Sequence, residues 1–340
     1  MSEATDIKTS SIRGTQFFKK IINFMKSFRE ATVLTIIITF SFLLSFLAPN
    51  FFTFDNLRTT AIGMSADGII AIGMTVALVS GGFDLSVGSV LGFSSVVAGA
   101  LYLAGVNIWL GCLIAIILST LCGIISGMFI GKVGINPFIM TLGMMGIARG
   151  AAYVATQGSP QSLASVPEAF KFLGRGNVIG IPIIVLVFTV LATVGDYLMR
   201  NSSPLRKVFF TGSNEKAAVL SGINVSKIKI GVYTLTALLA SVAGLLTLSR
   251  FGVATPTAGA GTEMRVISAA VIGGSSLNGG EGTILGTVLG VILLNLINNA
   301  LVLLKVSVYW QDLISGVILI TAVTIDHISH NRKKVKLISK

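Results

Sequence analysis

Apolar runs near the roughly twenty residues that a helix needs to cross a hydrocarbon core recur along most of the chain. They fall at 31–48, 61–80, 86–104, 108–131, 136–156, 178–199, 231–250, 284–304 and 308–326, and a shorter one covers 266–274. Together they predict an all-α polytopic membrane protein with about ten transmembrane helices. A single polar island, 200–230, separates the two apolar halves. It contains one acid, Glu215, among six Lys or Arg residues.

The pattern divides the chain into an N-terminal segment 1–30, a membrane domain 31–326 that includes the loop 200–230, and a basic tail 327–340. An even number of spans puts both termini, the loop at Lys132 and the island on one face. The opposite face then carries 49–60, the turn near Val106 and Asn107, 157–177, 251–262 and the link at Lys305. Within 157–177 the spacing predicts a short amphipathic helix over 168–173, lying on the membrane or against a partner.

Composition agrees with this picture. The 340 residues are 53% hydrophobic and only 11% charged, whereas soluble domains carry about a quarter charged residues. The formal charge of +12 could point to nucleic acid, but the positions of the cations exclude that reading. Most of the 25 Lys and Arg residues sit in the first thirty residues, at Lys132, in the island or in the tail, where a positive-inside bias places them in the cytoplasm. Cys112 and Cys122 are about 15 Å apart along one helix, too far for a disulfide. His327 and His330 have no accompanying ligands, so no metal site is expected.

The middle of the island reads as a small helix with marked ends. Ser213 or Asn214 can cap its start, Glu215 stands in the first turn, and Gly222 can take the left-handed position that closes it. So short a helix cannot bury itself, and the apolar residues along it predict a knob offered to a partner. The neighbouring cations Arg206, Lys207, Lys227 and Lys229 read as topology signals.

Glycines supply the other pattern. Gly123, Gly127 and Gly131, and again Gly282, Gly286 and Gly290, repeat every four residues and predict close helix packing. Two glycine-broken segments resemble one another: VSGGFDLSVGSVLG at 79–92 and VIGGSSLNGGEGTILGTVLG at 271–290. Interruptions at matching places in two halves mark a solute path or a tight turn, because unwound backbone at membrane depth needs protein or a cavity to satisfy it. The candidate path residues are Asp67, Asp84, Ser86, Asn295, Asn298 and Asn299. Asp84 can also cap the helix that starts near Ser86, and the asparagines can also fasten helices together.

No phosphate-cradling loop is present. The nearest decoy, GMFIGKVG from Gly127, lacks both the glycine spacing and the Ser or Thr after the lysine. Catalytic motifs are also missing, which predicts no catalytic residues and no cofactor in this chain. Few ionisable residues fall inside spans, which disfavours ion coupling and leaves energy to another subunit.

Five segments carry a family resemblance: GGFDLSVGSVLG at 81–92, NPFIMTLGMMGIARG at 136–150, TGSNEKAAVLSGINVSKIKI at 211–230, the glycine-broken segment 271–290, and LINNALVLLKVSVYWQDLISGVILI at 296–320. In order and over nearly the whole chain, they resemble the ribose-type sugar permeases of ATP-binding-cassette importers. The sequence departs from the family pattern at Glu281, where a basic residue is usual, and at Arg265, where an acidic one is.

The resemblance implies a bacterial cytoplasmic-membrane subunit that translocates a monosaccharide such as ribose. Its partners would be a cassette ATPase that uses the ATP, an extracytoplasmic sugar-binding protein, a second permease copy and membrane lipid, with no nucleic acid. It also implies that the island helix couples to the ATPase through Gly212, Asn214, Glu215, Ala217, Ala218, Gly222 and Ile223. The alternative is a stand-alone secondary sugar transporter or facilitator.

Overall fold

The computed structural model describes residues 29–163, 165–307 and, with gaps, 309–324. Most of the basic N-terminal segment and the tail with His327 and His330 lie outside the described residues.

The described residues open with α1 (Arg29–Leu47) and α2 (Phe54–Val79), followed by α3 (Val87–Leu103) and α4 (Ile108–Met128). A π-helical turn, Phe129–Val133, continues α4 before α5 (Pro137–Thr156). Strand β1 (Gln161–Ser162), helix α6 (Glu168–Arg175) and the pair β2 (Asn177–Val178) and β3 (Ile181–Pro182) lead to α7 (Ile183–Asn201). The island supplies α8 (Ser203–Ser213) and α9 (Glu215–Leu220). Then come α10 (Val225–Phe251), β4 (Val253–Ala254), α11 (Thr262–Ile272) and α12 (Ile284–Leu303). Described residues from 309 to 324 are also helical.

Among the described residues seven helices are long and apolar enough to cross a membrane: α1, α2, α4, α5, α7, α10 and α12. The expected count of about ten is not confirmed: two of the expected spans are shorter than this, and the last, 308–326, is only partly described. Helix α3 has 17 residues and α11 has 11, or about 26 Å and 16 Å of rise against a hydrocarbon core of about 30 Å. Both are short because the chain unwinds next to them at the glycine-rich breaks.

Every residue of α2 from Gly68 to Val79 is buried, as expected of a helix that is apolar on all sides. Its first turns project from the bundle. Thr53 caps them by accepting a hydrogen bond from the Asn56 N–H, which starts the helix seven residues before the apolar run at 61.

Helix α10 packs beside α2 and takes the glycine stripe of α4. A Cβ at Gly123, Gly127 or Gly131 would run into the α10 backbone at Tyr233, Ile230 or Ser226, so these glycines set the separation of the two helices. The second stripe does the same between α12 and α11. Gly286 faces the Gly273 carbonyl, and Gly290 faces that of Ala269.

The ends sort into two faces. The Lys132 turn, the island and the start of α1 share one, since Gly131 abuts Ser226 and the Thr283 hydroxyl donates to Glu30 at 2.6 Å. At the other face β1 pairs with β4, and Arg58 donates to the Asn177 side chain at 2.9 Å. The amphipathic helix expected at 168–173 is α6, and it docks on its own chain rather than standing free. Phe170 is buried, its carbonyl accepts from the Ser249 hydroxyl, and Arg175 donates to the Arg250 carbonyl at 2.6 Å.

Candidate functional site

The island folds as its punctuation predicts, and adds a helix that the sequence reading left unassigned. Helix α8 begins with Pro204 in its first turn, where the missing N–H does no harm. Asn214 then takes an extended conformation and caps α9 by accepting from the Ala217 N–H at 3.0 Å. At the far end Gly222 has φ +78°, its N–H donates to the Val219 carbonyl, and the Ile223 N–H donates to that of Ala218. This pair of bonds is the Schellman closure, which satisfies the carbonyls of Ala218 and Val219 at the end of the six-residue helix.

Helix α9 buries Ala218 and leaves Val219 and Leu220 uncovered, Leu220 at 89% of its full exposure. Glu215 is tied to Lys229 of α10 by contacts of 2.8 and 2.9 Å. Lys229, assigned above to topology, is thus also a strut that fixes the angle of α9. Its side chain is 17% exposed.

The two glycine-broken segments meet beside the island. The first, 80–86, joins α2 to α3, and the second, 273–283, joins α11 to α12. The Gly280 N–H donates to the Val79 carbonyl at 2.9 Å. Gly212, near the end of α8, lies against both: a Cβ there would strike the Val79 carbonyl oxygen and come within 2.8 Å of the Gly280 nitrogen. A Cβ at Gly279 would lie 2.7 Å from the Gly212 oxygen and 2.8 Å from the Gly81 Cα. Next to this contact is a cavity of about 270 Å³, lined by Ser80, Asn214, Glu215, Lys229, Tyr233 and Asn278 among others.

Asp84 anchors the first segment. Its side chain is 1% exposed. One carboxylate oxygen accepts from the Ser86 N–H at 2.9 Å and the Ser86 hydroxyl at 2.6 Å, and the other accepts from the Thr236 hydroxyl of α10 at 2.7 Å. The carboxylate therefore shapes the start of α3 and pins it to α10. A buried carboxylate is tolerated where hydrogen bonds replace its water.

The start of α3 faces a loop that returns from the opposite side. Gly88 and Gly259 pack backbone to backbone, with the Glu263 carboxylate at the same spot. Arg149 of α5 donates to the carbonyls of Pro256 and Ala258, the latter at 2.8 Å, supplying donors to backbone outside any regular element.

Of the other candidate path residues, Asp67, Asn295 and Asn298 come together with Arg265 along one small crevice. Asp67 accepts from Arg265 at 3.0 Å, and the two side chains are 19% and 28% exposed. The Asn295 amide donates to the Val291 carbonyl of its own helix. Asn299 stands apart, exchanging two amide hydrogen bonds with Asn56 at 2.7 and 3.1 Å and so fastening α12 to α2.

Sequence reasoning did not identify Arg265, Thr236, Lys229 or Tyr233 as partners in these arrangements. Only the position of Lys229, just past the cap at Asn224, offered a local signal. The others act across helices, and Arg265 lies 198 residues from Asp67.

The profile of the family described as branched-chain amino acid transport system, permease component, matches residues 56–323. Ribose import permease protein RbsC of Escherichia coli K12 is 37% identical over 321 residues, which cover 94% of this chain and 98% of that one. The protein of the same name from Bacillus subtilis is 36% identical, covering 84% and 88%. L-arabinose ABC transporter permease protein AraH of Azospirillum brasilense is 34% identical, covering 90% and 89%. No solved structure matches.

Proposed function

We infer function from one premise: the chain belongs to the family of permease components of branched-chain amino acid transport systems. Within it, the relatives just described are ribose and arabinose import permeases. The chain is a sugar permease subunit of an ATP-binding-cassette importer, seated in the cytoplasmic membrane of a bacterium with both termini inside. Ribose or a close relative is the substrate we propose.

The observation that carries the coupling role is α9. It is a fully capped helix standing proud of the apolar bundle, with Val219 and Leu220 uncovered and its base fastened through Glu215 and Lys229. Such a knob fits a groove on a cassette ATPase, which hydrolyses ATP on behalf of this non-catalytic chain. Gly212, Asn214, Glu215, Ala217, Ala218, Gly222 and Ile223 set its place and shape. ATP-driven closure would move α9, the halves would rock, and sugar handed over by an extracytoplasmic binding protein would cross. We propose Asp67, Asn295 and Asn298, which share one crevice, as polar groups along such a path; Asp84, Ser86 and Asn299 are the further candidates, and they also hold helices in place. A second copy of the chain completes the pore, and the open strip on α5 at Gly143, Gly146 and Gly150 supports that pairing, because none of the described residues lies within 4 Å of a Cβ there.

Uptake of labelled ribose in cells and in liposomes tests the reading. The combined replacement of Glu215 and Gly222, or Leu220→Asp alone, is expected to reduce uptake about tenfold or more while the protein still inserts. Sugar entering liposomes that hold the permease alone would instead establish the facilitator reading.

A further inference from the structure

We propose that Gly212 is the positioning residue through which movement of α9 reaches both glycine-broken segments at once. The proposal rests on the coupling role of α9 given above. It identifies a main-chain clamp made by Val79, Gly81, Gly212, Gly279 and Gly280, two residues before the cap of α9.

Three observations carry it. The contacts are backbone against backbone, since Gly212 abuts the Val79 carbonyl, the Gly280 N–H bonds that same carbonyl at 2.9 Å, and Gly279 rests on Gly81 and Gly212. Contacts without side chains have no rotamers to absorb a displacement, so a shift of the α8 end is passed on. Gly81, Gly279 and Gly280 have φ of +86°, +82° and +75°, which L side chains rarely adopt, so the clamp depends on glycine for conformation as well as space. Finally, the cavity of about 270 Å³ lies directly against the clamp and under the Glu215–Lys229 strut. It leaves room for the junction of α8 and α9 to move, where a packed interior would resist. At the clamp the end of α8 meets both breaks, so a single element set in motion by the ATPase addresses both halves.

The test uses the complete complex of permease, cassette ATPase and binding protein in lipid nanodiscs. Its readout is the ratio of ATPase turnover with ribose-loaded binding protein to turnover without it. Gly212→Ala is expected to lower that ratio at least tenfold. Gly290→Ala makes an equally hard backbone clash, with the Ala269 carbonyl, but far from the clamp. It is expected to lower the thermal midpoint and leave the ratio of the assembled complex within twofold of wild type. Should Gly212→Ala fail to assemble, Gly81→Ala carries the test, because its added carbon meets the Gly212 Cα at an ordinary 3.6 Å, so that its cost is the backbone strain of φ +86° and not a clash. A drop of about threefold is expected there. A wild-type ratio in the clamp variant that assembles, or an equal loss in Gly290→Ala, overturns the clamp alone. A wild-type complex with no stimulation at all overturns the import reading and the clamp with it.

Discussion

The two glycine-broken segments look alike in sequence but are held in different ways. Segment 80–86 is fastened by a side chain: the Asp84 carboxylate gathers Ser86 and Thr236, and apart from Gly81 and Phe83 its residues are buried. Segment 273–283 is fastened chiefly through its backbone, from Ser276 to Glu281, Gly279 to Ser276 and Gly280 to Val79, with the Thr283 hydroxyl on Glu30 at its end. It is longer, it uses positive φ at Gly274, Gly279, Gly280 and Gly282, and Asn278 at its tip is exposed. One break is a post and the other a strap. Similar composition thus specifies where a chain unwinds, while the anchor decides how far the unwound part can move.

The largest test of this contrast is Asp84→Ala. It leaves the Ser86 N–H and hydroxyl without their acceptor inside the bundle and the Thr236 hydroxyl with only the Tyr233 carbonyl, at an expected loss of about 3 kcal/mol. Gly274→Ala, at φ +101°, is expected to cost about 1 kcal/mol by backbone strain alone. Thermal unfolding of the purified variants compares them, and a reversed order would abolish the distinction between post and strap.

Next in size is the Asp67–Arg265 pair, which joins the helices leading into the two breaks. Asp67→Asn removes the carboxylate charge that faces the partly buried Arg265 guanidinium, for about 2 kcal/mol. Adding Arg265→Gln should recover about half of that in a double-mutant cycle. Strict additivity would mean that the helices into the two breaks are not coupled here.

Smaller still is Asn299→Leu, which removes the amide exchange with Asn56 at the far ends of α2 and α12. About 0.6 kcal/mol is expected, as for interhelical hydrogen bonds in membranes generally. No change in ATPase coupling should accompany it.

The smallest effect concerns pH at the face away from the island. Hydrogen bonding and attraction from Lys171 hold the exposed Glu168 carboxyl below the usual carboxylate range. A lowered folded-state pKa gives stability that is present above the unfolded value of about 4.3 and lost as pH falls through the folded one. Unfolding followed from pH 7 downward should therefore show this pair's contribution undiminished until about pH 5 and lost below it. The Glu168→Gln variant should remove the contribution without moving the coupling ratio. A dependence near neutral pH that Glu168→Gln abolished would overturn the assignment.

Local punctuation was the readable part of this sequence. Asn214, Glu215 and Gly222 announced α9 because capping acts within three or four residues of the cap, and apolar length located the long helices. The Gly123 and Gly286 stripes announced close packing, without saying which helix would fill them. What stayed hidden acts across the chain. The partner of Asp67 depends on how α11 lies against α2, and the role of Gly212 depends on three segments converging. The early start of α2 at Phe54 was missed because a polar turn capped by Thr53 is helical outside the apolar run. Helices α3 and α11 were counted as spans although the chain unwinds before either reaches full length, since hydropathy records burial and not the hydrogen bonding of the backbone.

Leu220 bears on the fate of the chain in the cell as well as on its mechanism. On the docking proposed above, a permease made ahead of its ATPase would display this exposed side chain to the chaperones and proteases that sort newly made chains by exposed apolar surface. The subunit that covers Leu220 would then set how much permease survives, so the proportions of the assembly would be balanced by turnover as well as by synthesis.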